Sequence, residues 1–286
     1  AVTGQFTTNP GLVWSQYMAD YYGSNADSAW FGTGAGTRPG DGNNWAVGGA
    51  RVGQTTVGAL GYTPSMTAQV TDYLARNGGR ADPGALYTVW GGANDLFAVQ
   101  ANPGNAQAII GGAVAAQVGI VGTLTSAGAK YILVPTIPDL GLTPSSRAGG
   151  AAAMAQGTAL TNMYNTSLFG ALASSNMRVI PLDTFHFLQE IIGNPGAYGF
   201  VNVTGTACQP QVTAQSLTCN PTSLVSPNSP YDYAFADGVH PTTGAHKLLS
   251  QFAVSVIEGP RQIAILPQAE AAVGRARTEL LATGLG

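Results

Sequence analysis

The chain has 286 residues, of which only 9% are charged, and its formal net charge is -3. Soluble proteins average about 25% charged residues, so we expect an exterior built mainly from small, uncharged side chains. With 11 Lys and Arg in all, the sequence has no basic stripe for a phosphate backbone, and nucleic acid is not an expected partner. The length suits one large α/β domain.

The first third of the chain predicts two helices separated by an extended segment. The stretch "NPGLVWSQYMADYYG" predicts a helix with Asn9 as N-cap and Pro10 at its first position. The stretch "NNWAVGGARV" indicates a short strand or extended segment that ends at Gly48 and Gly49. A second helix is predicted over residues 65–76, because Asn-Gly-Gly follows as a stop signal.

Strands and helices then alternate along the chain. Apolar runs in "ALYTVWGGAND", "KYILVPTIPDLG" and "MRVIPLD" predict buried strands. Helices are expected over residues 105–127 and 149–174, in "TFHFLQEIIGNP" and in "PTTGAHKLLSQFAVSVIEG", whereas residues 195–235 are expected to be irregular. This alternation predicts a mostly parallel sheet covered by helices on both faces.

Neither a membrane-spanning segment nor a signal peptide is predicted. The most apolar stretch, residues 106–124, contains Gln107, Gln117 and several glycines, which favours a buried amphipathic helix. The first residues, "AVTGQFTTNPGLVW", lack the basic and apolar regions of a signal peptide.

The two cysteines, Cys208 and Cys219, lie in the Gly-, Pro- and Thr-rich stretch "GTACQPQVTAQSLTCNP". We predict a local disulfide, which would stabilise the fold by about 2 to 3 kcal/mol and implies an oxidising compartment. The alternative is a pair of unrelated buried thiols. No metal site is expected: His186 is predicted to be a partly buried helix residue, and His246 to lie on an exposed helix face.

The stretch "FADGVHPTT" contains the residues that best fit a catalytic acid and base, Asp237 and His240. A histidine that acts as general base needs a carboxylate to hold its tautomer and to stabilise the imidazolium. An Asp-x-x-His spacing supplies both groups within one turn. The alternative is that Asp237 only caps the following helix.

Two glycine-containing loops are predicted at the same edge of the sheet, where ligands bind in open α/β folds. They are the Gly48-Gly49 turn and "GGAND", which contains Asn94. A glycine N–H and an asparagine amide are common donors to an oxyanion, so we predict Gly49 and Asn94 as an oxyanion hole. Each loop could instead be an ordinary turn or a helix cap.

In this order the three motifs resemble the GDSL, or SGNH, family of serine esterases and lipases. Gly49, or Gly48, corresponds to the family's second block, residues 92–95 to its Gly-x-Asn-Asp block and residues 237–240 to its Asp-x-x-His block. The stretches "DGNNWAVGGAR", "PDLGLTP" and "FADGVHPT" more narrowly resemble the esterase passenger domains of bacterial autotransporters, in which a cysteine pair also precedes the last block. The resemblance covers essentially the whole chain.

The resemblance implies a flavodoxin-like, three-layer α/β/α fold and hydrolysis of carboxylic esters through an acyl-serine intermediate, without metal or cofactor. His240 would be the general base, Asp237 would orient it, and Gly49 with Asn94 would hold the oxyanion. It also implies an acyl-ester or lipid substrate, a monomer, and location at the surface of a Gram-negative cell or in its medium. Residues 1–265 would form the hydrolase domain, and the helix of residues 266–286 would lead towards an outer-membrane β-barrel.

The family's first block, Gly-Asp-Ser-Leu, does not occur in the 286 residues. The resemblance places this block and its nucleophilic serine on a first strand upstream of Ala1, and without that strand its neighbours in the sheet would lack a pairing partner. A catalytically inactive relative is the alternative. As substitutes for the serine, Ser65 fits a helix N-cap better, and Ser145 and Ser146 are expected in a loop.

The sequence therefore favours a serine esterase or lipase. Two alternatives remain: an inactive surface adhesin or glycan-binding module on the same scaffold, and a carbohydrate acetylesterase. Trp45, Trp90 and Phe97 could contact an acyl chain or simply belong to the core.

Overall fold

The computed structural model describes residues 4–31, 38–39, 42–58, 61–212 and 214–260. Its strands are β1 (Trp30–Phe31), β2 (Arg38–Pro39), β3 (Thr56–Gly58), β4 (Gly61–Thr63), β5 (Leu86–Thr88), β6 (Tyr131–Pro135), β7 (Ile180–Leu182), β8 (Asn202–Thr206) and β9 (Tyr233–Phe235). Its α-helices are α1 (Trp14–Tyr21), α2 (Met66–Arg76), α3 (Ala93–Ala101), α4 (Ala106–Ala127), α5 (Pro144–Ala148), α6 (Gly150–Ser174), α7 (Thr184–Gly193), α8 (Ser229–Asp232) and α9 (243–260).

The central sheet is parallel, as predicted, with the order β5-β6-β7. Leu86 pairs with Tyr131, and Leu133 pairs with Ile180. Within the described residues β5 pairs with β6 on one side only. The parallel strands therefore end at a common edge, and the loops that follow them meet there.

Helices cover both faces of this sheet. Successive residues of a strand point to opposite faces, so Ile132 and Val134 of β6 pack in the cluster that contains residues of α3, α4 and α6. Leu133 points the other way and packs with Trp14 of α1 and Leu249 of α9. The result is a three-layer α/β/α fold, as the sequence predicted.

Helix α4 packs on the core through one face, and its other face is exposed. Over Pro103–Ala127 it is long and apolar enough, by length and composition, to cross a membrane. However, its Gln117 is fully buried, donates a hydrogen bond to the Val89 carbonyl at 3.2 Å and accepts one from the Tyr164 hydroxyl at 2.6 Å. These bonds tie the buried face of α4 to the sheet and to α6. The sequence predicted a buried amphipathic helix, and the structure buries one of its faces.

Two predictions about local structure were wrong in detail, and one had left two alternatives open. Helix α1 begins at Trp14 and not near Asn9, because the Asn9 side chain bonds instead to the Gln5 backbone and to the distant Ser216 carbonyl. Of the two alternatives for residues 43–47, a short strand or an extended segment, the strand is not formed, although Asn44 makes an isolated bridge with Ser28. Residues 195–235 are not wholly irregular, since they contain β8, α8 and β9.

The small parallel sheet β8-β9 lies beside the last helix and leads to the Asp-x-x-His turn. Asn202 pairs with Tyr233, and Thr206 pairs with Phe235. The predicted disulfide between Cys208 and Cys219 is present, with the two Cα atoms 5.9 Å apart. The helix predicted over residues 266–286 lies outside the described residues.

Candidate active site

The Asp237–His240 turn begins two residues after β9. One carboxylate oxygen of Asp237, Oδ1, accepts the backbone N–H groups of Val239 at 2.9 Å and His240 at 2.8 Å. The other oxygen, Oδ2, lies 2.8 Å from Nδ1 of His240. The turn thus fixes the carboxylate and the imidazole relative to each other, and Nδ1 of His240 faces the carboxylate.

The two members of this pair differ in exposure. The Asp237 side chain is 6% exposed and the His240 side chain 35%. Burial raises the pKa of Asp237, but the hydrogen bond and charge of His240, with the amides of Val239 and His240, outweigh it and hold this pKa far below its usual range. Asp237 is therefore ionised at neutral pH, beside an imidazole that solvent can reach.

Thr242, and not Asp237, caps helix α9. The Thr242 hydroxyl accepts the Ala245 N–H at 3.2 Å, three residues into the helix, whereas the amides bonded to Asp237 belong to the turn itself. The capping interpretation of Asp237 therefore does not describe this turn.

Helix α5 lies against the turn at Gly238. The Ser145 N–H donates to the Gly238 carbonyl at 2.9 Å. A Cβ atom on Gly238 would lie 2.2 Å from Oγ of Ser145. An alanine at this position would therefore require the Ser145 hydroxyl to move, since the next atom, Cβ of Ser145, would lie at 3.6 Å.

None of the alternative serines makes a hydrogen bond to the imidazole in the described part of the chain. Ser65 accepts the Ala68 N–H at 3.2 Å and caps α2, as predicted. Ser145 and Ser146 lie in helix α5 and not in a loop, since Thr143 caps a short helix there. The Ser146 hydroxyl donates to the Leu140 carbonyl at 2.7 Å.

Glycine at position 92 places Asn94 in the first turn of α3. Gly92 has a φ of 105°, and a Cβ atom there would lie 2.5 Å from the Tyr164 ring. A side chain would therefore be strained and would clash. Asn94 follows, half-buried, and its amide donates to the Ala50 carbonyl at 3.0 Å.

Asp95 fixes the segment that follows Gly49 against α3. Asp95 is 2% exposed, and its two oxygens accept Nε of Arg51 at 2.9 Å and the Val52 N–H at 3.0 Å. Gly49 itself has a φ of 82°, a conformation that favours glycine. The "GGAND" and Gly48-Gly49 loops, which were predicted at the same edge of the sheet, are thus joined through Asn94 and Asp95.

Phe6 connects these loops with the Asp237–His240 turn. Its ring stacks on the His240 imidazole, with centroids 4.5 Å apart. The same ring occupies the space that a Cβ atom on Gly48 would need, since the two would be 2.1 Å apart. Sequence reasoning missed Phe6, because a single aromatic residue in "GQFTT" carries no signal of its role.

The other two histidines were predicted wrongly. His186 is exposed and pairs with Asp183, whose Oδ2 lies 2.6 Å from its Nδ1. His246 is only 6% exposed, because the N-terminal segment covers this face of α9, and burial lowers its pKa to about 4. His246 is therefore a neutral residue behind the site.

The aromatic residues suggested for an acyl site belong mainly to the packing. Trp90 packs edge to face on Trp14 and donates to the Thr136 carbonyl at 3.0 Å. Phe97 packs against the core cluster of α3, α4 and α6. Trp45 contacts the Tyr73 ring of α2 at 5.8 Å between centroids.

The sequence matches a protein family and several curated relatives. The GDSL-like Lipase/Acylhydrolase family matches residues 3–252. Lipase 1 of Photorhabdus luminescens is 30% identical over 80% of this chain and 44% of its own length. Esterase EstA of Pseudomonas aeruginosa and esterase EstA of Pseudomonas putida are each 30% identical over 93% of this chain and 44% of their own length. The chain thus spans less than half the length of these relatives.

Proposed function

The chain belongs to the GDSL-like lipase/acylhydrolase family, and on that premise we propose that it hydrolyses carboxylic esters, with His240 as general base and Asp237 as the carboxylate that orients it. The observation that carries the proposal is the contact of Nδ1 of His240 with a buried, ionised Asp237 at 2.8 Å. This contact leaves Nε2, on the partly exposed side of the ring, to take a proton from a nucleophile and later to return it to the alcohol.

The oxyanion that forms in the reaction would be held by the Gly49 N–H and the Asn94 side chain. Their proximity is supported by the Asn94 bond to Ala50, the residue after Gly49. Two donors aimed at the developing charge are the usual requirement for acyl transfer. The Asn94 amide has a second N–H for this purpose, because only one of its protons is used in the bond to Ala50.

The nucleophile, in this proposal, is a serine on a segment N-terminal to Ala1. No Gly-Asp-Ser sequence occurs in the 286 residues. The stacking of Phe6 on His240 supports the proposal, since it brings the chain just downstream of such a segment beside the imidazole. The edge of β5 that is unpaired among the described strands gives the segment a place to join the sheet.

The test is ester hydrolysis by the protein extended at its N-terminus to include this serine. We expect p-nitrophenyl esters to be hydrolysed and His240→Ala to lower kcat on the order of a million-fold, as loss of the histidine does in a comparable triad. His186→Ala is the matched control, because it removes the imidazole of the exposed Asp-x-x-His pair. Equal rates for His240→Ala and the unchanged protein would refute the assignment.

Two further measurements address the alternatives. The Ser145→Ala variant should keep its hydrolytic activity if the nucleophile lies upstream. Loss of hydrolysis in this variant would favour Ser145 as the nucleophile instead. A fluorophosphonate probe should label the extended protein, whereas an unlabelled protein would favour a non-catalytic adhesin or glycan-binding module. A panel of acylated sugars and fatty acyl esters would separate an acetylesterase from a lipase.

The setting of the activity is part of the same proposal. The resemblance to autotransporter esterases supports a surface or secreted location, a covalent continuation into an outer-membrane barrel and a monomeric hydrolase domain. The disulfide agrees with an oxidising compartment. Cell fractionation and surface proteolysis of the producing bacterium would test the location.

A further inference from the structure

Among the described residues, Asp237 receives one hydrogen bond from outside its own turn. The backbone N–H of Ser216 donates to Oδ2 of Asp237 at 2.6 Å, across 21 positions of sequence. The amides within the turn, those of Val239 and His240, bond only to Oδ1. Ser216 is therefore the donor that fixes the second oxygen, the one closer to Nδ1 of His240, and with it the rotation of the carboxylate.

The Cys208–Cys219 disulfide holds Ser216 in this place. The Cys208 N–H donates to the Ala236 carbonyl at 2.9 Å, so one sulfur is anchored beside the residue that precedes Asp237. The Cys219 N–H donates to the Ser216 carbonyl at 3.0 Å. A closed path therefore runs from Asp237 through Ala236, the disulfide and Ser216 back to Asp237.

The N-terminal segment braces the same loop. The Asn9 side chain donates to the Ser216 carbonyl at 2.9 Å and accepts the Gln5 N–H at 2.8 Å. Ser216 is fully buried, and both cysteines are 1% exposed. The loop thus lies between the segment that contains Phe6 and the acid-base turn.

We propose that the disulfide-closed loop 208–219 is a positioning element for catalysis, which acts by holding the Ser216 amide against the Asp237 carboxylate. The proposal rests on the proposed role of Asp237 and His240. A preorganised donor keeps the carboxylate oriented through the catalytic cycle. The carboxylate therefore contacts the imidazolium without having to rotate first. A disulfide that only stabilised the fold would change the melting temperature and leave kcat of the folded protein as it was.

Two substitutions at position 216 separate these roles. Ser216→Pro removes the N–H donor and places proline Cδ where the amide proton pointed, against Oδ2 of Asp237, so it both deletes the bond and displaces the carboxylate. The preceding Gln215 already has the extended backbone that proline requires. Ser216→Ala keeps the N–H and removes only a hydroxyl that has no hydrogen-bond partner among the described residues. In the N-terminally extended protein, we expect kcat of Ser216→Pro to be roughly tenfold or more below that of Ser216→Ala, the size of one lost charge-assisted hydrogen bond, with little difference in KM.

The double variant Cys208→Ser/Cys219→Ser is the second test, for the case that Ser216→Pro does not fold. Its kcat, measured at a temperature where circular dichroism shows a folded protein, should fall by about threefold to tenfold, because the loop is no longer closed. The proton resonance of His240 Nδ1 reports on the same contact without any substrate, and it should shift in both Ser216→Pro and the double variant.

Each outcome has a clear meaning. Wild-type kcat in a folded Ser216→Pro or in the double variant, with an unshifted proton resonance, would overturn the positioning role. Absence of hydrolysis by the unsubstituted protein would overturn the proposed function, and the resonance would still show whether the loop orients the Asp237–His240 pair.

Discussion

Two turns of this protein have the same Asp-x-x-His spacing and the same contact, yet only one lies in the candidate site. Nδ1 and Oδ2 are 2.6 Å apart in Asp183–His186 and 2.8 Å apart in Asp237–His240. The side chains of the first pair are 53% and 73% exposed, and those of the second are 6% and 35% exposed. An exposed pair is screened by water and contributes little. Spacing and distance alone therefore do not identify a charge relay.

The surroundings of the carboxylate make the difference. Asp183 accepts the His186 N–H and caps α7, an entirely local arrangement. Asp237 accepts amides of its own turn and also the amide of Ser216, which a disulfide and Asn9 hold in place. A carboxylate that is buried and surrounded by fixed donors stays ionised and oriented, which a general base needs of its partner.

Replacing each carboxylate by its amide gives the largest expected contrast. Asp237→Asn should lower kcat by about 10⁴, because the amide favours the wrong imidazole tautomer and cannot stabilise the imidazolium. Asp183→Asn should leave kcat unchanged, since asparagine also caps helices. Both variants would be assayed with a p-nitrophenyl ester in the extended protein. Similar losses in the two would remove the distinction between the turns.

Acid should destabilise the protein through His246, which lies buried behind the second turn. Its pKa is lowered from 6.5 to about 4, so the unfolded chain binds a proton that the folded one does not. The folded state therefore loses stability as the pH falls from 6.5 towards 4, with little further change below that. Linkage gives a penalty of about 2 to 3 kcal/mol at pH 4.5.

His246→Gln tests this penalty. Urea unfolding at pH 7.5 and at pH 4.5 should show a smaller loss of stability in the variant than in the unsubstituted protein. Parallel losses in both would mean that other groups, Asp237 among them, account for the acid sensitivity.

The two turns differ at the residue after the aspartate. Gly238 lies close to Ser145, whereas the Asp183–His186 turn has Thr184 at the corresponding position. Gly238→Ala places a methyl group against Oγ of Ser145 and should lower the free energy of unfolding by about 1 to 2 kcal/mol. Adding Ser145→Ala should restore part of the loss, as measured by thermal or urea unfolding. Additive effects of the two substitutions would argue against this contact.

The smallest effect is expected at the exposed pair. Asp183→Ala removes the N-cap of α7 and should lower the free energy of unfolding by about 1 kcal/mol, without affecting hydrolysis. Asp183→Asn serves as its control, because it retains a capping oxygen. A drop in kcat for Asp183→Ala would indicate that α7 contributes to the site.

Features that depend on residues close together in the chain could be predicted from the sequence. Ser65 was predicted as the cap of α2, and helices α4 and α6 agree with the predicted ranges to within a residue or two. The three apolar runs became the parallel sheet. Helix caps, glycines that end helices and hydrophobic periodicity each involve residues that are close together in the chain. They can therefore be recognised in a single sequence.

Contacts between segments that are distant in the chain were decided only by the tertiary structure. Asn9 looked like a helix cap, but it bonds to Ser216, 207 positions away. His246 looked exposed, but the backbone of Phe6 lies over it. The sequence by itself determined the parallel sheet and the Asp-x-x-His spacing of residues 237–240. Burial, the Ser216 donor and the stacking of Phe6 on His240 arise only when the chain packs, because each needs a partner that no local pattern specifies.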